Sequence, residues 1–572
     1  MEYSAIFHDM DKRFSYAVDK DLFVIRVQVK KDDMKEVILH YEDKYIPMER
    51  KDTRMTLPMK KVATSQPHDY YEAQLQMHLI CLRYFFEFTD MQGEKVYYGN
   101  YEFDKECITN RDRMFDCPQN LREEEMFEVP EWAANKVVYQ IFPSRFAATE
   151  PVDKELWYKA PITPMDDLHG NLRGIIEHMD DIQNLGIDVL YMTPIFQSNS
   201  CHKYDTTDYY QIDPSFGTTE DLKELVQKAH ERGMKVVLDA VYNHTGREFF
   251  AFADILENGE KSKYRDWYFI DGFPLKSEWG EIPNFKCFGY YGGMPKLNLK
   301  NPEVEKYITD VACYWIKECD IDGWRLDVGD EISHFFWKNF RKAVKAVKKD
   351  MLIIGEIWHY AGDFLEGDEW DTVMNYPFYL NLIDLLADEK ITVSQFVQNL
   401  GYLKGRLHKN CYPLMWNLID SHDTARFLHL CNDNKKKQHL AAAFQLLLPG
   451  MPMIYYGDEY AMPGANDPDC RRGMYWDEEY QDKEMYEWYK RLIQVRKSHA
   501  CIVEGELAGI VTEDEEGTVV LIRKNGEETI AMIFNCSSSA KQFNEYTQKY
   551  NLLTENTFDG NVEGFDAAVI VL

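Results

Sequence analysis

The segment Lys235-Val-Val-Leu-Asp-Ala-Val-Tyr-Asn-His244 decides the fold, because a short apolar run ends here in a cluster of polar residues. An amphipathic stretch with helical periodicity, Asp221 to Arg232, precedes it and stops at Gly233. A helix followed by a buried strand is a repeating unit of α/β folds with parallel strands. We therefore predict a strand at Lys235–Asp239 and look for further units on either side.

The same alternation of strands and helices continues from residue 126 to residue 499. Further strands are predicted at Val137–Phe142, Val189–Ile195, Gly323–Val328, Leu352–Glu356, Thr372–Asn375, Pro413–Ile419 and Met453–Tyr456. Further helices are predicted at Gly174–Leu185, Tyr307–Glu318 and Phe335–Lys349. Eight βα units are typical of a (β/α)₈ TIM barrel. Residues 245–301 follow the third strand, are rich in aromatic residues and glycine, and are predicted to be an inserted domain B.

Both ends of the chain have the character of β-structure. Residues 1–125 contain runs rich in β-branched and aromatic residues, such as Leu22–Val29 and Leu79–Phe88, which predict an N-terminal β-sandwich. Residues 500–572, with Val519–Arg523 and Thr529–Phe534, predict a C-terminal all-β domain, also a sandwich. The sequence leaves open whether the N-terminal domain serves packing, dimerisation or sugar binding.

Composition narrows the function and location of the protein. The formal net charge of −32 argues against nucleic-acid and anionic-membrane partners, which require basic patches. No apolar run is long enough to span a membrane, and the first residues do not resemble a secretory signal. The 12 cysteines are scattered without a C-x-x-C pair, which favours reduced thiols. We therefore expect a cytoplasmic protein.

The chemistry is expected at the carboxyl ends of the barrel strands, where TIM-barrel enzymes carry their active sites. Strand three ends in Asp239-Ala-Val-Tyr-Asn-His244, strand four in Gly323-Trp-Arg-Leu-Asp-Val328, strand five in Gly355-Glu-Ile-Trp-His359 and strand seven in Ile419-Asp-Ser-His-Asp423. One such strand end is more often a cap or a satisfied hydrogen-bonding group. Four in order on predicted strands indicate a functional site.

The residue types in these motifs suit glycosyl transfer by two carboxylates. Arg325 and Asp327 are two apart on a strand and face the same way, so the guanidinium is expected to lower the pKa of Asp327. An ionised aspartate can act as a glycosyl nucleophile. Glu356, on the next strand, is expected to have a raised pKa, as a general acid needs. Asp423 is a third carboxylate for sugar hydroxyls, and retention requires a carboxyl separation of about 5–5.5 Å.

These four segments resemble the signature regions of the α-amylase family of glycoside hydrolases. The resemblance implies a retaining mechanism at α-glucosidic bonds, with Asp327 as nucleophile, Glu356 as acid/base and Asp423 as transition-state stabiliser. It also implies that Arg325, His244 and His422 bind or support the sugar beside the cleaved bond, and that Asp239 supports the architecture of the site. The segment His202-Lys-Tyr-Asp-Thr-Thr-Asp-Tyr209 resembles another family region, whose Tyr204 would stack on that sugar.

Two further motifs resemble the neopullulanase, cyclomaltodextrinase and maltogenic amylase branch of the family. They are Met294-Pro-Lys-Leu-Asn298 and Asn466-Asp-Pro-Asp-Cys-Arg-Arg472. By this resemblance Asp467 and Arg471 bind the next sugar outward, and Trp358 lies on the leaving-group side. The N-terminal domain of that branch commonly mediates dimerisation, so a homodimer is expected. The substrates implied are maltooligosaccharides, cyclodextrins or pullulan, cleaved mainly at α-1,4 bonds.

The sequence departs from the branch at two places. Gly329-Asp-Glu331 stands where Ala-Asn-Glu is more usual in the branch. This difference is expected to change the acceptor side of the site and, with it, the ratio of hydrolysis to glycosyl transfer. The calcium loop is degraded, because Glu150, Asp153 and Asn171 are few ligands for an ion that takes 6–8 oxygens. We therefore expect no cofactor and no metal.

Three other interpretations compete with a cytoplasmic hydrolase. A transglycosylase would use the same carboxylates and pass the glucosyl group to a sugar acceptor. A degenerate family member would serve as a glucan-binding subunit, but such proteins lose the catalytic carboxylates that this chain retains. A secreted amylase would carry its N-terminal domain as a starch-binding module, which the absence of a signal sequence disfavours.

Overall fold

The structure is a computed structural model that describes residues 1–47, 54–76, 79–119, 121–122, 126–276 and 282–572. Two compact units divide these residues. The first unit consists of Met1–Val129, Tyr360–Asp371 and Ile391–Tyr412, and the second unit consists of the remaining segments. Two segments that are distant in sequence thus belong to the N-terminal unit.

The N-terminal unit contains two antiparallel sheets whose inner faces share one core. The first sheet has the strand order Ser15–Ala17, Leu22–Lys30, His68–Gln76 and Lys60–Thr64. The second has the order Met55–Pro58, Met34–Asp43, Cys81–Asp90, Lys95–Gly99 and Glu102–Asp104, with Phe115–Pro118 also paired to Cys81–Asp90. Buried side chains of both sheets, among them Ile25, Val27, Leu39 and Phe86, form that core. The predicted N-terminal sandwich is confirmed.

The second unit contains an eight-stranded parallel sheet that forms the predicted barrel. In chain order the strands are Val138–Ile141, Val189–Met192, Lys235–Ala240, Gly323–Leu326, Leu352–Gly355, Thr372–Val373, Trp416–Asn417 and Met451–Tyr455. Their spatial order is 6-5-4-3-2-1-8-7, and a single parallel bridge between Met374 and Trp416 joins strands six and seven. All eight predicted strands therefore exist, each within a few residues of its predicted bounds.

Helices connect most of the barrel strands. The main ones in the second unit are Leu172–Glu177 with Met179–Leu185, Thr219–Glu231, Pro302–Cys319, His334–Val347, Tyr376–Leu382 and Lys435–Leu447, and Lys483–Ser498 follows strand eight. The helix Val393–Arg406, between strands six and seven in the chain, belongs to the first unit. Thr218 begins one of them with a capping box, in which Asp221 also takes part. The connection between strands five and six differs from the predicted βα unit, because it contains only the 3₁₀ turn Gly362–Phe364. Residues 356–371 have a low helix propensity, because they contain two glycines and no apolar stripe, and this explains the difference.

The inserted segment after strand three contains the helix Phe250–Asn258 and short 3₁₀ turns. Residues 277–281 of the predicted domain B lie outside the described residues. An antiparallel bridge between His244 and Lys296 ties the end of the segment to the end of strand three. A hairpin that the sequence did not predict, Phe196–Ser198 with Thr206–Ile212, follows strand two and contains most of the Tyr204 region.

The C-terminal part of the chain is all-β, as predicted. Its main sheet has the order Glu506–Glu513, Thr518–Asn525, Glu528–Asn535, Asp566–Val571, Tyr550–Asn551 and Asn556–Thr557. Ala531, Ile533, Phe543 and Ile570 belong to its core. Among the residues described, there is no helix with the length and hydropathy that crossing a membrane requires.

Candidate active site

One buried guanidinium collects the carboxylates predicted from the strand ends. Arg325 Nη1 donates to both carboxylate oxygens of Asp239, at 3.1 and 3.0 Å, and to Asp327 Oδ1 at 2.8 Å. Arg325 Nη2 lies 2.8 Å from Glu356 Oε2 and 3.9 Å from Asp423 Oδ2. The arginine side chain has no exposed surface. Four acids therefore lie around one buried cation.

Barrel geometry explains this convergence. Asp239 and Arg325 are register partners on strands three and four, and Arg325 and Asp327 are two residues apart. Side chains two apart on a strand point to the same face. Glu356 directly follows the fifth strand, which pairs with the fourth. Neighbouring parallel strands thus deliver their polar ends to the same rim of the barrel.

Asp327 differs from its predicted ionisation. Arg325 does lower the pKa of this carboxyl, but burial has the larger and opposite effect, so the pKa of Asp327 is raised well above its ordinary value. The nearby charges of Glu356 and Asp239 raise it further. The expectation of a lowered pKa was wrong because it counted the arginine and ignored burial first and the competing acids second. Asp327 Oδ2 is buried and has no hydrogen-bond partner.

Glu356 has the raised pKa that was predicted for the acid. Burial is the main cause, and Asp423 adds to it. Glu356 Oε2 accepts the backbone N–H of Val328 at 2.9 Å, and Trp358 Nε1 lies 3.4 Å from Glu356 Oε1. The Oε2 atom is thus held by a strong donor, while Oε1 is the freer oxygen and the better position for a proton.

Val328 has a strained backbone directly after the proposed nucleophile. Its φ of 47° and ψ of 45° lie in the left-handed region, which is a rare conformation for a β-branched residue. Such strain costs about 1–3 kcal/mol and is usually found at functional sites. Here the conformation directs the Val328 N–H at Glu356 Oε2. The sequence offered no signal for this feature.

His422 and Tyr204 form a second polar layer beside the carboxylates. The two rings are nearly parallel, with centroids 5.5 Å apart, and the Tyr204 hydroxyl lies 2.5 Å from His422 Nε2. The same hydroxyl donates to Asp239 Oδ2 at 3.0 Å, which also accepts from Tyr191 at 2.7 Å. Asp239 has a pKa raised to about 6, chiefly by burial. Its three partners fit the supporting role that the resemblance implied.

His244 forms the opposite wall together with an aromatic residue from the insertion. Its ring stacks on Phe288 with centroids 5.0 Å apart, and its Nε2 is buried without a partner. Burial lowers the pKa of His244 to about 3, so the ring is neutral. Nearby, Lys296 donates to the side chains of Asn243 and Glu331, which links the Met294 motif to strands three and four. This link was not predicted.

The outer residues lie at the mouth of the site. Arg471 Nε donates to the carbonyl of His422 at 2.8 Å, and Arg471 Nη1 pairs with Asp467 at 2.8 Å. Trp358 is 42% exposed and stacks on Tyr376 with centroids 3.9 Å apart. An exposed indole braced in this way offers a flat apolar surface to a sugar ring.

A cavity of about 420 Å³ opens in front of these groups. It is lined by His202, Tyr204, His244, Phe288, Met294, Asp327, Val328, Asp330, Glu356, Trp358, Asp423, Asp467 and Arg471. Eight of the predicted site residues line it, while Arg325, His422 and Asp239 lie directly behind. The sequence missed five lining residues, Phe288, His202, Met294, Val328 and Asp330, although all except Phe288 belong to segments that had been noticed.

Two of the three residues expected to form a degraded calcium loop, Asp153 and Asn171, have other partners. Asn171 Oδ1 accepts the backbone N–H of Gly174, and Asp153 accepts that of Glu155, so both cap helices. Within the described ranges, no group of three or more His, Cys, Asp or Glu side chains has the arrangement of a metal site.

Comparisons with known proteins agree with this geometry. The model of the α-amylase catalytic domain matches residues 140–480, and that of the α-amylase N-terminal Ig-like domain matches residues 1–119. A cyclomaltodextrinase of Geobacillus thermopakistaniensis is 42% identical over 95% of this chain and 92% of its own length. An intracellular maltogenic amylase of Bacillus subtilis is 38% identical over 94% and 91%.

A solved structure of a cyclomaltodextrinase is also similar to the whole chain. It superposes with a TM-score of 0.94 at 37% identity and covers 100% of both chains. The chain therefore belongs to the α-amylase family, as a glycoside hydrolase of the cyclomaltodextrinase, maltogenic amylase and neopullulanase type.

Proposed function

We propose that this protein hydrolyses mainly α-1,4-glucosidic bonds of maltooligosaccharides, cyclodextrins or pullulan through a covalent glucosyl–Asp327 intermediate. The observation that carries the proposal is the single guanidinium of Arg325, which contacts both Asp327 and Glu356. It holds a nucleophile and an acid on one rim of one cavity, as retaining catalysis requires.

The reactive state of the two carboxyls has Asp327 ionised beside Arg325 and the proton on Glu356. In the first half-reaction, Glu356 donates this proton from Oε1 to the glycosidic oxygen. Asp327 Oδ2, the oxygen that Arg325 does not hold, attacks the anomeric carbon as the bond to the leaving sugar breaks. The leaving sugar departs as an alcohol with the proton of Glu356. Asp423 stabilises the positive charge that develops on the sugar ring. Arg325 stabilises the negative charge of the Asp327 carboxylate until it forms the ester.

In the second half-reaction, the ionised Glu356 accepts a proton from water. The water oxygen bonds to the anomeric carbon, and the ester bond to Asp327 breaks. Two inversions restore the α-configuration, and Glu356 regains its proton. A sugar hydroxyl in place of the water would give transfer, so Trp358 and Glu331 on the acceptor side influence the ratio of the two outcomes.

We assign the sugar beside the cleaved bond to Tyr204, His244 and His422, with the apolar sugar face on the tyrosine ring. Asp467 and Arg471 would hold the next sugar outward, and Trp358 the leaving group. The cavity of about 420 Å³ supports this assignment, because these groups line it or lie directly behind it.

We further propose that the reaction needs neither a cofactor nor calcium. The support is that Asn171 and Asp153 already cap helices, so they are poorly available as ion ligands. Dialysis against EDTA should leave kcat and the melting temperature unchanged. A loss of either that added calcium restores would refute this proposal.

The N-terminal unit supports the proposal of a homodimer. It exposes Tyr3, Phe7, Met10, Tyr101 and Phe103, and the rings of Tyr3 and Phe103 pack 4.9 Å apart. Exposed aromatic groups of this kind are common at protein interfaces. Phe103→Ser should shift the mass measured by light scattering toward the monomer. Met91→Ser, at an exposed position of the same unit, should not; a wild-type monomer would contradict the proposal.

We propose a cytoplasmic location. The maltogenic amylase of Bacillus subtilis that resembles this chain is described as intracellular. In the cytoplasm, short or cyclic glucans would be the available substrates. Recovery of most of the native protein outside the cell would overturn this proposal.

Turnover of β-cyclodextrin, pullulan and soluble starch, with the products separated by chromatography, tests the proposed substrates. We expect cyclodextrin opening to be faster than attack on starch. Preference for starch would overturn the choice of substrate, and no turnover of any of the three would overturn the proposed function. Asp327→Ala is the matched control for contaminating activity.

A further inference from the structure

Gln140 is a buried amide of the first barrel strand that contacts His422. It has no exposed surface, and its register partners are Tyr191 and Tyr455 on the neighbouring strands. Gln140 Nε2 lies 2.7 Å from His422 Nδ1, while Gln140 Oε1 has no hydrogen-bond partner. Gln140 belongs to none of the site motifs and takes part in no step of the proposed mechanism.

The surroundings of the other ring nitrogen determine where the proton of His422 lies. His422 Nε2 faces the Tyr204 oxygen at 2.5 Å and Asp423 Oδ1 at 3.3 Å. The Tyr204 hydroxyl donates to Asp239 Oδ2, because an ionised carboxylate can only accept. Its oxygen is then an acceptor toward His422. Both neighbours of Nε2 thus require a hydrogen on that nitrogen.

A neutral imidazole carries only one hydrogen, so Nδ1 must then be an acceptor. Burial lowers the pKa of His422 well below its ordinary value, which is consistent with a neutral ring. The buried Nδ1 lone pair needs a donor, and the Gln140 amide supplies one at 2.7 Å. Rotating the amide by 180° would bring Gln140 Oε1 to Nδ1, so that two lone pairs would face each other and the buried Nδ1 would lose its donor.

We propose that Gln140 is a positioning residue that donates to His422 Nδ1 and so fixes the Nε2–H tautomer. The tautomer points a proton toward Asp423 and the sugar beside the cleaved bond. The opposite tautomer would turn a lone pair toward the Asp423 carboxylate. This role in turnover rests on the proposed function, whereas the tautomer itself does not.

The first test measures the tautomer directly in the wild-type protein without substrate. Selective ¹⁵N-histidine labelling and long-range ¹H–¹⁵N correlation distinguish a protonated from an unprotonated ring nitrogen, and His422→Asn assigns the signal by its loss. We expect a protonated Nε2 and an unprotonated Nδ1. A proton on Nδ1 would overturn the inference, even in a protein that hydrolyses glucans at full rate. Failure of glucan turnover would leave this measurement valid.

The second test is Gln140→Glu, which keeps the shape but replaces the donor by a carboxylate. An ionised carboxylate accepts from Nδ1–H, so the neutral ring loses its hydrogen on Nε2. We expect kcat at neutral pH to fall by about 100-fold, the scale of one misdirected catalytic proton. A doubly protonated ring carries both hydrogens, so activity should partly return as the pH falls. The titratable and charged groups facing His422 are His202, Tyr204, Arg325, Asp423 and Arg471.

Gln445→Glu is the matched control. Gln445 is equally buried and donates to the carbonyls of Asn417 and Met453 away from the cavity. This variant should lose stability, but its kcat per folded molecule should show no new ionisation. A wild-type kcat and pH profile in Gln140→Glu would overturn the inference, as would the same acid recovery in Gln445→Glu.

Discussion

Replacing Arg325 by methionine removes the positive charge that contacts three buried acids of the site. Asp239, Asp327 and Glu356 lie within 3.1 Å of this guanidinium, and all three carboxyls are at most 8% exposed. Methionine preserves much of the apolar stem. The change therefore leaves three buried acids without this partner and does not create a large cavity.

The size of the effect depends on pH. Removing one partner of a buried ion pair typically costs about 3–5 kcal/mol of unfolding free energy. In the wild type, burial raises the pKa of Asp239 from its ordinary value to about 6. A carboxyl whose pKa is raised by folding makes its full contribution to the unfolding free energy below its unfolded pKa. That contribution is lost as the pH rises through the folded pKa, and a pKa shift of two units corresponds to about 3 kcal/mol. Loss of the arginine raises these carboxyl pKa values further.

We therefore expect Arg325→Met to be about 3–5 kcal/mol less stable than the wild type at pH 8 and nearly as stable at pH 4. Urea unfolding at several pH values measures this difference. Arg496→Met is the matched control, because Arg496 is equally buried but donates to the carbonyls of Leu446, Leu448 and Gly450. Its loss of stability should not recover in acid. An equal deficit of Arg325→Met at pH 4 and pH 8 would refute the reasoning.

Other expectations follow from single contacts. Glu356→Gln should lower kcat on maltooligosaccharides by about 10²–10⁴-fold and abolish the alkaline limb of the pH profile that its raised pKa produces; an unchanged limb would contradict the assignment. Trp358→Ala should change the ratio of transfer to hydrolysis products with maltose as acceptor, measured by chromatography, while an unaltered ratio would exclude this ring from the acceptor side. Val328→Gly should stay within about 1 kcal/mol of wild-type stability in urea, because glycine relieves the left-handed strain. A large loss would show that the packing of the valine side chain contributes more stability than relief of this strain restores.

The barrel could be predicted because its strands are local patterns. Apolar runs such as Lys235–Ala240 end in polar clusters, and each pattern is complete within a few residues. The missing helix between strands five and six has a local signal in its two glycines, whereas the grouping of Ile391–Tyr412 with the N-terminal unit could not be predicted. Within that unit Arg26 donates to the carbonyls of Gly405 and Leu407, which lie 379 and 381 residues further along the chain. Contacts of this kind leave no periodic signal.

The sequence predicted residues that the structure brings together at one cavity, but it predicted their electrostatics only in part. Strand alternation correctly put Arg325 beside Asp327. The pKa of Asp327 was mispredicted because it depends on burial and on the other acids around the same cation. Gln140 was overlooked because a glutamine in a strand carries no distinctive pattern, and its contact with His422 spans 282 residues.

The covalent step at Asp327 is tested most directly with Glu356→Gln and α-maltosyl fluoride. Fluoride leaves without acid assistance, so the first half-reaction proceeds, but the second lacks the base that activates water. The glycosyl-enzyme should therefore accumulate, and mass spectrometry of its peptides should find one maltosyl ester on Asp327. An ester on a different residue, or turnover without any ester and with inversion at the anomeric carbon, would contradict the mechanism.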